Sequence, residues 1–153
     1  MSSEPRRTLA AFVAAALAVL LLSSPVQAAT PAERYADAAF AATNQQRAGH
    51  DRVRLREGAC LTGFAERWAR HMARTGRLVH QDLQPIARRC GLRMAGENIA
   101  YGYSSGRSVV NRGWMHSEGH RENILRPSYR LMGIGAARDR HGRWWTSQVF
   151  GRR

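Results

Sequence analysis

The dipeptide Trp144-Trp145 places the tightest limit on what this chain can fold into. It lies in a run from Arg143 to Phe150 that is rich in Trp, Thr, Val and Phe and reads as a β-strand. Successive strand side chains point to opposite faces of a sheet, so two adjacent tryptophans require cover on both. Just upstream, Leu131, Ile134 and Ala136 flank glycines in a second strand-like run, and Arg140-His141-Gly142 reads as the turn of a β-hairpin. The layout that follows is a small antiparallel sheet with helices above and below it.

The helices are legible upstream. Pro31 and Glu33 open a segment that carries Tyr35, Ala36, Ala39, Phe40 and Thr43 at helical spacing, with Gly49 available to stop it. A second helix sets Leu61, Phe64, Ala65, Trp68, Ala69 and Met72 on one stripe and Arg67, Arg70 and Arg74 on the other side, and Gly76 ends it. From Arg77 to Ala95 no period holds, so that segment, with His80, Pro85 and Cys90, reads as irregular chain. Ser108 to Trp114 reads as a third helix despite Gly113, and Glu122 to Leu125 as a short turn before Pro127.

The first stretch belongs to export rather than to the fold. Arg6 and Arg7 precede an uncharged run from Leu9 to Leu22, and Val26-Gln27-Ala28 fits a cleavage site, the pattern of a secretory leader over residues 1–28. About 14 residues rise only ~21 Å as a helix, short of the roughly 30 Å hydrocarbon core, which argues against a permanent transmembrane anchor. What remains, residues 29–153, is the size of one domain. It is too short for a TIM barrel and too apolar for a disordered chain, which leaves a single α/β or α+β domain.

Export also gives the cysteines a meaning. Cys60 and Cys90 are the only two in the chain, and in an oxidising compartment an even count favours a disulfide over free thiols or an intermolecular bridge. Losing Arg6, Arg7 and Glu4 with the leader leaves 22 basic and 10 acidic residues, a formal charge of +12, and every basic residue is arginine. Guanidinium suits phosphates and carboxylates, so an anionic envelope ligand is one implied partner. The arginines are scattered, however, and no nucleic-acid motif accompanies them, so a solvated surface explains most of them.

In order along the chain stand Asn44-x-x-Arg47, His80, Gly96-Glu97-Asn98-Ile99-Ala100, and Trp114-Met115-x-Ser117-x-Gly119-His120-Arg121-x-Asn123-Ile124-Leu125. Met132-Gly133-Ile134-Gly135 and Trp145-x-x-Gln148-x-Phe150-Gly151 follow. This series resembles the bacterial branch of the CAP superfamily, the cysteine-rich secretory protein, antigen 5 and pathogenesis-related group, also called the SCP domain. The resemblance implies an α-β-α sandwich of the α+β class, secretion, and a cleft lined by two histidines and acidic residues. It assigns that cleft to His80, Glu97 and His120. A second acid of eukaryotic relatives falls on Ser117 here, with Glu118 next to it.

Two neutral imidazoles beside a carboxylate are a plausible start of a zinc or other divalent cation site, with His80 and His120 as ligands and Glu97 or Glu118 nearby. The same groups can instead hydrogen-bond one another and brace a polar cleft. The resemblance implies a binding module for a lipid, sterol or wall-derived ligand, expected to act as a monomer. The alternative is a peptidase-like hydrolase in which His80 or His120 acts as base beside Glu97, with Ser117 as a candidate nucleophile. Binding is favoured because the sequence certifies no set of nucleophile, base and orienting group.

Two further patterns carry less. Gly102-Tyr103-Ser104-Ser105-Gly106 fits Gly-x-Ser-x-Gly, but glycine and serine in a loop are usually turn chemistry. His116-x-x-x-His120 lacks the glutamate that a zinc-protease helix places directly after its first histidine.

Overall fold

The computed structural model describes residues 28–153. The leader expected at the N-terminus therefore lies outside the described residues up to Ala28. Helix α1 spans Pro31–Gly49, and its start is a capping box in which the Thr30 and Glu33 side chains satisfy each other's backbone N–H groups. A two-residue strand β1, Arg56–Glu57, leads into α2, Ala59–Thr75, which Gly76 closes in the left-handed conformation at φ 67°.

The segment expected to be irregular holds a third helix, α3, Leu83–Cys90. Asp82 caps it by accepting from Gln84 N–H, and Gly91 closes it at φ 63°. Two turns are too short for a helical period to show, and Pro85 is accommodated because it falls in the first turn, where a missing N–H costs nothing. The disulfide Cys60–Cys90, with Cα atoms 5.8 Å apart, ties α3 to the first turn of α2.

Strand β2, Met94–Tyr101, follows. Residues 106–116 are helical as expected but irregular: a short α4 at Gly106–Ser108, a π-helical turn at Val109–Gly113 and a 3-10 turn at Trp114–His116. Helix α5, Glu118–Leu125, is longer than the turn expected there. The hairpin forms as read, from β3, Leu131–Arg138, and β4, Trp144–Arg152.

The strands lie in the order β1-β3-β4-β2. The three long strands are antiparallel, and β1 adds a short parallel pairing to Leu131 and Met132, so the sheet is mixed. Both tryptophans are covered, on opposite faces. Trp144 packs at a tilt against Tyr35 of α1, ring centroids 4.7 Å apart, in a core with Ala39, Trp114 and Phe150. Trp145 packs with Met72 of α2 and Ile99, beside a second cluster of Leu61, Ala65, Ile86 and Val149. A fully buried side chain of this size contributes roughly 1.5–3 kcal/mol, so the two faces together define the fold.

Helix α2 sits so close to β3 that only glycine fits beneath it. A Cβ at Gly133 would lie 2.1 Å from Thr62 N, and one at Gly135 2.2 Å from Glu66 N. No helix among the described residues is long and apolar enough to cross a membrane.

Candidate functional site

Along β2 the side chains alternate, so Glu97 and Ile99 face the α2 layer while Asn98 faces the layer of α1 and α5. The Glu97 side chain is only 1% exposed and accepts four hydrogen bonds. Its Oε2 takes His80 Nδ1–H at 2.8 Å and Gln81 N–H at 3.2 Å. Its Oε1 takes Gln81 Nε2–H at 2.6 Å and Ser147 Oγ–H at 2.8 Å. A buried carboxylate partnered this completely is a fixed point from which other groups can be aimed.

His80 is the group so aimed. Its ring is 58% exposed although its partner is buried. Because a carboxylate only accepts, Nδ1 must donate, and in the neutral ring Nε2 then carries a free lone pair. The segment that carries His80 is pinned on both sides: Trp68 Nε1–H donates to Val79 O at 2.8 Å, and Gln81 grips Glu97 twice. Gln81 and Ser147 were missed from the sequence. The one available signal was that Gln81 directly follows His80.

His120 approaches from the opposite layer, on α5. Its Nδ1 shares a hydrogen bond with Ser117 Oγ at 2.9 Å, and its backbone carbonyl accepts from Asn98 Nδ2 at 3.1 Å. Burial lowers its pKa below the usual histidine value, and the nearby His80 lowers it further. His120 therefore senses the charge of His80, while Glu97 hydrogen-bonds only His80. Ser117 reaches His120 through this bond, and Glu118 is exposed. Beside Ser117 and His120 opens a mainly apolar cavity of about 270 Å³, walled by Leu78, Ile99, Tyr101 and Trp114.

What holds α5 in place is a buried polar network. Asn98 Nδ2 also donates to Gln148 Oε1 at 3.0 Å, and Asn98 Oδ1 accepts from Asn123 Nδ2 at 3.0 Å. Gln148 Nε2–H in turn donates to Thr43 Oγ1 of α1 at 2.8 Å. Two side chains also close the outer edge of β2: Asn123 Nδ2–H donates to Glu97 O at 3.2 Å, and Trp114 Nε1–H to Ile99 O at 3.2 Å. Gly96 admits this arrangement, since a Cβ there would lie 2.2 Å from Tyr129 Oη.

The Asn44-x-x-Arg47 motif is structural. Asn44 pairs twice with the Leu55 backbone, and the fully buried Arg47 donates to Val53 O, Ile124 O and Arg126 O. Arg47 thus anchors the C-terminal end of α5, where carbonyls lack helical partners. Ser105 of the Gly-x-Ser-x-Gly stretch caps α4, and Ser104 is exposed in a bend. His116 is exposed, and the chain is extended at Ser117, so His116 and His120 do not share a helix.

The metal expectation fares less well. Both Glu97 oxygens are engaged and Glu118 is exposed, which leaves His80 and His120 as two donors. Among the described residues no three His, Cys, Asp or Glu side chains gather as a metal site. A catalytic zinc keeps three protein ligands, so this donor set does not fit a resident metal.

Comparison with known proteins gives a consistent picture. The model of the cysteine-rich secretory protein family, CAP, matches residues 40–150. The uncharacterised protein YkwD of Bacillus subtilis (strain 168) is 47% identical over 58 residues, which is 38% of this chain and 21% of that protein. The crystal structure of an extracellular protein containing a SCP domain from Bacillus anthracis superposes with a TM-score of 0.72 at 25% identity, covering 83% of this chain and 45% of that one. A cysteine-rich secretory protein from Staphylococcus aureus gives 0.67 at 19% identity, covering 80% of this chain and 40% of that one. The chain thus spans under half the length of each of these relatives.

Proposed function

The chain belongs to the cysteine-rich secretory protein (CAP) family, and from that premise we propose that it is an exported binding module of the cell envelope or extracellular space. Its ligand contact would be the cleft between His80 and His120. The observation that carries this reading is the contrast between a 1% exposed Glu97 and the 58% exposed His80 ring it holds. Fixing a polar ring at the surface from a buried anchor is how a protein prepares a contact before the ligand arrives.

Export rests on the charged, then apolar, then small-residue pattern of residues 1–28, and on the extracellular SCP protein among the similar structures. The ligand class rests on the cavity beside His120, which offers apolar walls with polar groups at one end. A lipid or sterol headgroup, or an anionic wall fragment, fits that combination, and the chain is proposed to bind it as a monomer. The test is to titrate purified mature protein with lipid and sterol vesicles and with soluble wall fragments, and to repeat this for His80→Ala and His120→Ala. Saturable binding lost in both folded variants is the expected result. Binding unchanged in both would remove the cleft from the account.

One observation favours a second reading, that of a hydrolase. Ser117 Oγ and His120 Nδ1 form a 2.9 Å pair, and burial lowers the pKa of that imidazole, which favours the neutral form a general base needs. Turnover of peptide or ester substrates that is lost in Ser117→Ala and in His120→Ala, with zinc present or absent, would replace binding by catalysis.

A further inference from the structure

The two sides of the sheet are finished differently. On β2 the outward carbonyls of Glu97 and Ile99 are capped by Asn123 and Trp114. On β3 the neighbour β1 pairs only with Leu131 and Met132. Met132 O accepts from Gly58 N–H on that side at 3.0 Å, so by alternation the backbone groups of Ile134 and Ala136 face the same way, past the end of β1. Among the described residues no side chain or backbone group outside the sheet bonds to them. An uncapped edge is a template for another strand.

That edge lies at the floor of a groove of about 560 Å³ between α1 and α2. The α1 wall carries Glu33 and Asp37, one helical turn apart, and the opposite wall carries Glu57 and Glu66. These are four of the ten acidic residues left after the leader, gathered in one groove of a chain whose formal charge is then +12. A single arginine, Arg70, lines it, in an exposed 3.8 Å pair with Glu66. A strand laid against Ile134 and Ala136 would send alternate side chains toward α1 and toward α2, and both directions meet carboxylates.

The geometry points to a docking groove for an extended, arginine- or lysine-bearing segment of a partner protein, which adds to the sheet beside β3. Main-chain pairing supplies the register, and the two acidic walls select positive side chains on both faces of the added strand. Nothing in this inference depends on the histidine cleft, which lies at the other edge of the sheet.

The test is fluorescence anisotropy with a labelled hexapeptide of alternating arginine and valine and its glutamate counterpart. The arginine peptide is expected to bind at least tenfold tighter than the glutamate one. The combined Asp37→Asn, Glu57→Gln and Glu66→Gln variant, checked for native circular dichroism, should lose at least tenfold. Glu33 is left intact because it caps α1. On the unaltered protein, N-methylation at one set of alternate peptide residues should weaken binding about tenfold, while the other set tolerates it. Equal binding of both peptides, or no sensitivity to N-methylation in either set, overturns the proposal. A concentration-dependent dimer that the triple variant abolishes would assign the groove to a second copy and overturn it equally.

Discussion

The outer edges of β2 and β3 are built from the same kind of backbone but serve opposite ends. At β2 the free carbonyls are covered by side chains, Asn98 and Asn123 lock α5 against the strand, and Glu97 sends its anchoring force outward to His80. At β3 the glycines let α2 press close, β1 stops after two residues, and the backbone beyond it has no partner outside the sheet among the described residues. The difference teaches that polar residues in this sheet are used where geometry must be fixed. Where they are missing from an edge, carboxylates of α1, β1 and α2 line it instead.

The comparison can be broken most severely at the disulfide, because α3 and the His80 segment both depend on the position of α2. Replacing Cys60 and Cys90 by serine should cost roughly 3 to 4 kcal/mol on the chain-entropy model for a 30-residue separation. Urea unfolding measures this, and an effect below about 1 kcal/mol would show that the bond does not constrain the unfolded chain.

Next in size is the lock on β2. Asn98→Ala leaves Gln148 Oε1, His120 O and Asn123 Nδ2 short of a partner, which should cost on the order of 2–3 kcal/mol. The exposed Glu57→Gln on the β3 side should change stability by less than about 0.5 kcal/mol. Equal effects on the two edges would dissolve the distinction between them.

His80→Ala separates anchoring from stability. With its ring 58% exposed, the change should alter unfolding by less than about 1 kcal/mol, while reducing cleft binding at least tenfold in a vesicle or wall-fragment titration.

The smallest effect is in His120. Its folded pKa is lowered, so the fold favours the neutral ring. That contribution is complete above the ordinary histidine value and is lost as pH falls through the folded value. An NMR titration should place its midpoint below that of an unfolded histidine. In His80→Ala it should move only part of the way back, since burial is the larger cause.

Much of this was legible in the sequence because the governing signals are local. The adjacent tryptophans demanded two covered faces, and the stripe from Leu61 to Met72 and the stop at Gly76 defined α2. Helix α3 was not legible, because two turns are too short for a period and Pro85 resembles a breaker. Strand β2 was equally hidden: residues 96–100 are all buried, so no polar alternation marks it. At the site, His80, Glu97, His120 and Ser117 could be named, but the division of labour could not. That Glu97 serves His80 while Ser117 serves His120 depends on strand parity and on which layer each loop descends from. Gln81 and Ser147 carry no chemical signature and become visible only when the chain closes around Glu97.

The central claim is that Glu97 fixes the His80 ring through Nδ1 and leaves Nε2 for a ligand. Long-range proton–nitrogen correlation of the imidazoles in the folded protein, above the histidine titration range, tests it most directly. The expected result is a His80 ring with its proton on Nδ1, slow to exchange with water. A His80 ring with its proton on Nε2, in fast exchange, would contradict the claim.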